Sequence, residues 1–314
     1  MTLRTRLAPS PTGALHLGNA RSFLLAWLWA RATGAEVVLR VEDLDGPRTK
    51  AGAAEEAVAD LRWLGLDWDG EVLWQSQRSE AYAAALTSLQ GRDQVYPCVC
   101  TRKEIEAARS APNEGELRAR YPGTCRERDP RAASERDPAW RLRVPPGREV
   151  TFEDAFRGPQ REVPAETEGD FVIAKKTGEA AYQLAVVVDD AHQGISHVIR
   201  GDDLVPSTHL QILLYEALGL PLPTFVHLPL VRGPDGRRLA KRHGDTRIAS
   251  YREAGVAPER VLGLLGAWSG LCERAPVSAS DLVDAFSWER IPHADVVCDA
   301  AAEAWLRGGT RSPA

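Results

Sequence analysis

Residues 4 to 41 constrain the fold more than any other stretch of this chain. Arg4-Thr5-Arg6-Leu7 reads as a short strand. It runs into Ala8-Pro9-Ser10-Pro11-Thr12-Gly13, a loop stiffened by two prolines and allowed to bend back by its glycine. Apolar residues then recur at helical spacing from residue 15 to about 32, and Gly34 is placed as the helix C-cap. Glu36-Val37-Val38-Leu39-Arg40-Val41 follows as a buried strand. A strand, a helical crossover and a second strand form the unit that parallel pairing requires, so an α/β fold built on a parallel sheet is expected. A turn at Asp45-Gly46-Pro47-Arg48 and a second helix over residues 51–64, ending near Gly65, continue it.

Residues 96–165 change character: helical patterns shorten, and arginine, proline and glutamate dominate. The stretch 126–137 is highly charged and offers no core. This region reads as an inserted subdomain between two halves of the sheet, residues 1–95 and 166–249. Two strands, Phe171-Val172-Ile173-Ala174 and Tyr182-Gln183-Leu184-Ala185-Val186-Val187-Val188, are predicted on either side of a turn at 175–179. A helix over 207–218 and a strand over 225–231 come next. Residues 250–314 read as a short helical tail.

No apolar run approaches the roughly 18–20 residues of a membrane helix; the best, residues 23–30, is far shorter. No secretory leader is visible, so a cytoplasmic setting and no membrane partner are expected. Five scattered cysteines do not make a disulfide framework. A net charge of −5 gives no general affinity for nucleic acid, so an RNA partner would need a local basic surface.

Two segments carry nucleotide chemistry. His16-Leu17-Gly18-Asn19 opens the first helix, where backbone N–H groups and the positive dipole end suit phosphate. A histidine there offers a donor to a transition state gaining negative charge, and Gly18 leaves room for a flat base. The plainer alternative is a proline-rich turn with a capping histidine. Far downstream, Gly236-Arg237-Arg238-Leu239-Ala240-Lys241-Arg242-His243-Gly244-Asp245 is a basic loop. It is either a solvated run of charge or a cationic flap whose Lys241 neutralises departing pyrophosphate. Arg6 before the first of these segments, and Glu42, Tyr182 and Arg200 between them, belong to or adjoin predicted strands, with Arg200 in His197-Val198-Ile199-Arg200-Gly201-Asp202-Asp203. A ligand with two carboxylates and one ammonium wants arginines for the former and an acid for the latter. For Glu42 the alternative is a turn cluster, and for Arg200 an ion pair with Asp202 or Asp203.

Ala8-Pro9-Ser10-Pro11-Thr12-Gly13-Ala14-Leu15-His16-Leu17-Gly18-Asn19 resembles the HIGH signature of the glutamyl branch of class I aminoacyl-tRNA synthetases, with Asn19 at the fourth position. Arg238-Leu239-Ala240-Lys241-Arg242 resembles the KMSKS loop of that class, with Arg238 for the first lysine and Ala240 for serine. The stretch 182–203 resembles the matching stretch of glutamyl-type enzymes. The resemblance implies a Rossmann-like core that makes glutamyl-adenylate from ATP with Mg²⁺. It implies a glutamate site at Arg6, Leu7, Ala8, Pro9, Ser10, Glu42, Tyr182 and Arg200. It places ATP on His16, Gly18, Asn19 and Lys241, with His16 and Lys241 as the catalytic groups.

Cys98-x-Cys100 is followed by Tyr121-Pro122-Gly123-Thr124-Cys125. Structural zinc takes four tetrahedral ligands, and no histidine lies near these three cysteines. The pattern resembles the glutamyl-queuosine tRNA(Asp) synthetases, where a tyrosine oxygen is the fourth ligand. One structural zinc on Cys98, Cys100, Tyr121 and Cys125 is therefore implied, the alternative being three ordinary buried thiols. Cys272 and Cys298 read as packing residues. Residues 244–314 leave no room for the anticodon-binding domain of a full glutamyl-tRNA synthetase. Gln183 and Ser207-Thr208-His209-Leu210-Gln211-Ile212 also fit the glutamyl-queuosine branch, which implies a monomer that transfers glutamate to queuosine in the tRNA(Asp) anticodon. Three rivals remain: a short enzyme charging the 3′ end of tRNA(Glu), a non-catalytic zinc-containing binding paralogue, and a HIGH-class nucleotidyltransferase acting on a small metabolite.

Overall fold

A computed structural model describes residues 2–11, 14–44, 52–107, 120–128, 136–237, 239 and 245–308. Strand β1 (Arg4–Leu7) pairs in parallel with β2 (Glu36–Val41), and α1 (Leu17–Thr33) is the crossover between them. Gly34 closes α1 at φ 70°, a left-handed backbone that glycine adopts without strain. After α2 (Ala53–Trp63), β3 (Leu73–Trp74) adds a third parallel strand beside β2. Helix α1 is apolar on nearly all sides (Leu24, Leu25, Leu28, Trp27 and Trp29 are all buried), as befits a helix wrapped by protein. It packs on β1, β2 and the strand His197–Gly201 on one side and on the helix Pro258–Trp268 on the other.

Helix α3 (Ser79–Gly91) leads into β4 (Val95–Cys98), the short α4 (Arg102–Ala107) and β5 (Ala139–Leu142). A hairpin of β6 (Val150–Asp154) and β7 (Gly158–Glu162), the turn of helix α5 (Pro164–Thr167) and β8 (Val172–Ala174) follow. Strands β4, β5 and β8 form their own antiparallel sheet. The hairpin does not share it. Through α6 (Tyr182–His192), β9 (His197–Gly201), α7 (Val205–Leu218) and β10 (Thr224–Leu228), the chain builds a second sheet in the order β7-β6-β10-β9, with β10 parallel to both neighbours. The segment 96–165 is thus divided between the antiparallel sheet and an extension of the parallel one.

Tyr182 opens a helix and not the strand that its apolar run predicts. A short run rich in valine has no period of its own, and the surroundings decide. Here Leu184 to Val187 and then Asp189 and Asp190 are all buried, because α6 lies between α3 and α7. The strand expected over 225–231 is also interrupted. Pro229 has no N–H for a ladder, and pairing resumes only at β11 (Val231–Arg232). The tail holds α8 (Ile248–Glu253), α9 (Pro258–Trp268), β12 (Val296–Val297), which pairs with β11, and α10 (Ala300–Arg307). Cys272 and Cys298 lie between these elements and pack against them. Among the described residues no helix is long and apolar enough to cross a membrane.

The two parallel half-sheets meet where the Ser196 N–H donates to the Arg4 carbonyl at 3.0 Å and the Arg4 N–H to Ser196 Oγ at 2.8 Å. Arg21 of α1 ties this frame to the tail: its guanidinium donates to the Pro229 carbonyl at 2.8 Å, to Ser269 Oγ at 3.1 Å and to the Trp268 carbonyl at 3.5 Å. Burial pulls its pKa down to about 10, with Asp295 acting the other way, so it stays charged at neutral pH. Arg21→Met should orphan these acceptors and cost about 2–4 kcal/mol of unfolding free energy, read from urea titrations at pH 7.

Candidate active site and cysteine cluster

A cleft of about 180 Å³ opens at the carboxyl ends of β1, β2, β9 and β10, between the two half-sheets. In parallel α/β sheets this is where ligands bind. Its lining joins segments far apart in the chain: Arg6 and Ala8 after β1, His16, Gly18 and Asn19 at the tip of α1, Glu42 after β2, Tyr182 at the start of α6, and Arg200 on β9. Leu7 is buried in the core, Pro9 gives its carbonyl to the Glu42 N–H at 3.0 Å, and Ser10 is exposed; none of these three side chains lines the cleft.

His16 caps α1. Its Nδ1 accepts from the N–H groups of Gly18 at 3.1 Å and Asn19 at 3.4 Å. The helix-tip N–H groups expected to face phosphate are thus engaged, since Leu17 also donates, to the Thr246 carbonyl at 3.1 Å. The capping alternative is correct for one edge of the ring. A neutral imidazole accepting at Nδ1 carries its proton on Nε2, so the same side chain keeps a donor. Gly18 permits the arrangement: a Cβ there would sit 3.1 Å from the His16 ring.

Arg6 reaches across between β1 and β9, donating to the Ile199 carbonyl at 3.2 Å and facing Asp190 at 3.4 Å. Arg40, fully buried, donates to Asp190 at 2.6 Å and to Glu42 at 3.3 Å. Burial pushes the Glu42 carboxyl up, and Arg40 and Arg6 pull it back only in part. Arg200 turns its fork to His227, Thr208 and Gln211, while Asp202 pairs with Arg157, so the ion pair considered for Arg200 is not what organises it. Two arginines, Arg6 and Arg200, and two acids, Glu42 and Asp203, therefore line one small cleft. Arg40, Asp190 and His227 escaped the sequence reading. Their signal was a charged or polar residue interrupting an apolar run, in Val38-Leu39-Arg40-Val41, in Val187-Val188-Asp189-Asp190 and in Phe225-Val226-His227-Leu228.

Residues 240–244, with Lys241, and Arg238 lie outside the described residues, as do Thr12 and Gly13. The flanking residues are placed: the Leu239 N–H donates to the carbonyl of Val231 in the cleft wall, and Thr246 to Ile248 are bonded to the segment 15–17.

At the end of β4, the sulfurs of Cys98, Cys100 and Cys125 lie within 4.8 Å of one another. Tyr121 Oη sits 3.3 Å from Cys98 Sγ and 3.7 Å from Cys100 Sγ, and accepts the Cys125 N–H at 2.9 Å. Tetrahedral zinc–thiolate bonds of about 2.3 Å put sulfurs about 3.8 Å apart, so this donor set fits a metal with small shifts.

The sheet order, the cleft at its switch point and the charge pattern within it define an adenylate-forming class I synthetase core. The chain belongs to that family: residues 2–301 match "tRNA synthetases class I (E and Q), catalytic domain". It is 49% identical to the glutamyl-Q tRNA(Asp) synthetase of Symbiobacterium thermophilum, over 97% of this chain and 98% of the relative. The protein of that name from Rhodopirellula baltica is 47% identical, over 94% and 96%. The glutamate–tRNA ligase of Aquifex aeolicus is 42% identical, but this chain covers 66% of it. Among solved structures, a glutamate tRNA ligase from Elizabethkingia meningosepticum in complex with its amino acid superposes with a TM-score of 0.82 at 28% identity, over 98% of this chain and 69% of that one.

Burial lowers the His227 imidazole from 6.5 to about 4, against the pull of Asp154 and helped by Arg200. A base held lower in the fold than in the unfolded chain contributes stability that is complete above about pH 6.5 and is lost as pH falls toward 4. Between pH 7 and pH 5 the wild type should lose about 1–2 kcal/mol more unfolding free energy than His227→Gln, measured by urea titration at both values.

Proposed function

We propose that this chain activates glutamate with ATP to glutamyl-adenylate and transfers the glutamyl group to queuosine in the anticodon of tRNA(Asp). The observation that carries the proposal is one cleft holding Arg6, Arg200 and Glu42 against His16, Gly18 and Asn19. Its charges suit glutamate: Arg6 and Arg200 for the carboxylates and Glu42 for the ammonium, with Asp203 a second acid on the cleft wall. Tyr182 closes the amino-acid side. A carboxylate oxygen of glutamate attacks the α-phosphorus of ATP, the bond to the β-phosphate breaks, and pyrophosphate leaves. His16 donates from Nε2 to the oxygens gaining charge, and Lys241, two residues after Leu239, meets the departing pyrophosphate. ATP arrives with Mg²⁺, which neutralises phosphate charge when bound. A queuosine hydroxyl then attacks the mixed anhydride and AMP leaves. An unstacked loop base is the part of an RNA that proteins most often read.

Cys98, Cys100, Cys125 and Tyr121 would hold one structural zinc. When bound, it ties the end of β4 to the segment 121–125. The local core there is small, formed by Tyr96, Cys98, Tyr121 and Cys125. Metal binding would supply folding energy that this core does not.

Charging assays with queuosine-containing tRNA(Asp), queuosine-lacking tRNA(Asp) and tRNA(Glu) test the acceptor. Glutamate should label only the first. Equal labelling of both tRNA(Asp) forms sinks the queuosine assignment, and labelling of tRNA(Glu) favours the 3′-charging rival. His16→Ala should lower kcat by about 10²–10³ in pyrophosphate exchange, the loss of one transition-state donor; unchanged activity would remove His16 from the mechanism. Atomic emission should find one zinc in the purified protein and none after Cys98→Ser. A zinc-free wild type removes the metal assignment.

A further inference from the structure

Arg200 sits at the head of a buried relay that the proposed chemistry does not yet use. Its Nε–H donates to His227 Nε2 at 3.1 Å, and its Nη2 donates to Thr208 Oγ1 and Gln211 Oε1, each at 2.7 Å. Among the described residues its buried Nη1 has no hydrogen-bond partner, and the residue lines the cleft. A guanidinium is planar, so fixing Nε and Nη2 also fixes where the Nη1 hydrogens point.

His227 is wholly buried, and its Nδ1 faces Asp154 Oδ2 at 2.6 Å. Asp154 is itself immobilised, because its Oδ1 accepts the N–H groups of Phe156 at 3.0 Å, Arg157 at 2.8 Å and His227 at 3.2 Å. Arg200 Nε can only donate, so His227 Nε2 must accept. The ring proton therefore belongs on Nδ1, shared with Asp154. The opposite tautomer, or the imidazolium, would press an N–H against the Arg200 N–H.

We propose that Asp154 and His227 are positioning residues for amino-acid recognition. Asp154 holds His227 in the Nδ1–H tautomer, and His227 Nε2 then holds the Arg200 fork with Nη1 turned to a carboxylate of the substrate. The inference rests on reading the cleft as the glutamate site. The low proton affinity of His227 keeps the ring neutral throughout the physiological range. The second anchor of the fork runs through Gln211, whose Nε2 donates to Gln183 Oε1 at 2.8 Å at the start of α6, beside Tyr182. Both sides of the amino-acid pocket are thus linked to Arg200.

The test is pyrophosphate exchange with tRNA present, varying glutamate at saturating ATP and then the reverse. Absence of glutamate dependence in the wild type would remove the glutamate reading itself, a result distinct from failure of the relay. Asp154→Asn is isosteric, but it either presents its amide N–H to Nδ1, favouring the wrong tautomer, or turns that N–H against the backbone N–H donors that Oδ1 accepts. Asp154→Asn and His227→Leu should each raise the glutamate KM about 10- to 100-fold, as expected for losing a charge-assisted bond, with the ATP KM within about twofold. His227→Gln, whose amide oxygen can replace Nε2 as acceptor, should restore the glutamate KM to within about fivefold of wild type. An unchanged glutamate KM in Asp154→Asn, equal rises for glutamate and ATP, or a His227→Gln as impaired as His227→Leu would overturn the relay. Nitrogen-15 NMR of the wild-type imidazole needs no variant: a protonated Nδ1 and bare Nε2 at His227 support the relay, and the reverse pattern ends it.

Discussion

The Asp190 carboxylate is the contact on which the rest of the structure depends. It lies at the middle of the molecule, on α6, and gathers Arg6 from β1, Arg40 from β2 and Tyr215 from α7. Burial alone would push this carboxyl up. The two guanidinium groups outweigh that and hold it below the usual carboxylate range. Strands β1 and β9 belong to different ladders and share only the junction at Arg4 and Ser196. Beyond it the backbones offer each other no pairing, and side-chain charge replaces the ladder. An ion network of this kind adds little net stability compared with an apolar core, because desolvation consumes most of the attraction. Its effect is geometric. It fixes how far the half-sheets separate, and the separation is the cleft.

That network also sets what the cleft attracts. Asp190 is already matched by Arg40 and Arg6, and Arg40 also leans on Glu42. The charged groups left to line the cleft are then Arg6, the Nη1 of Arg200, Glu42 and Asp203. Buried polar groups are costly unless something matches them. On the proposed reading, a zwitterion carrying an extra carboxylate matches both arginines and Glu42 together. On the same proposal, a neutral amino acid leaves one guanidinium unmatched, so the desolvation that makes the site costly also makes it selective.

The sheet was legible wherever one strand carried its own signal. Strand β1, helix α1, the Gly34 cap and strand β2 read correctly because proline, glycine and helical spacing are local features. The cleft residues Arg6, His16, Gly18, Asn19, Glu42, Tyr182 and Arg200 were legible through motif likeness, and the fold brings them to one place. Arg40, Asp190, His227 and Asp154 were not, because each acts through a partner far away in sequence, and nothing in a one-dimensional pattern says which buried charge meets which. The assignment of residues 96–165 to a single insertion blurred for the same reason: β6 joins the main sheet through one parallel contact with β10, a pairing that leaves no mark between residues 150 and 162 themselves.

The misread stretch at α6 shows why such errors gather at functional sites. A valine-rich segment is locally inclined to extend, yet the chain coils it into a helix. As a strand it would alternate its faces, and the adjacent Asp189 and Asp190 would point to opposite sides. As a helix, both stay inside, Asp190 toward Arg6 and Arg40 and Asp189 toward Gln75, Arg78 and Tyr82. The helix start then carries Tyr182 to the cleft. Local preference yields because the helical backbone buries both carboxylates against their partners while keeping the aromatic ring at the mouth of the site.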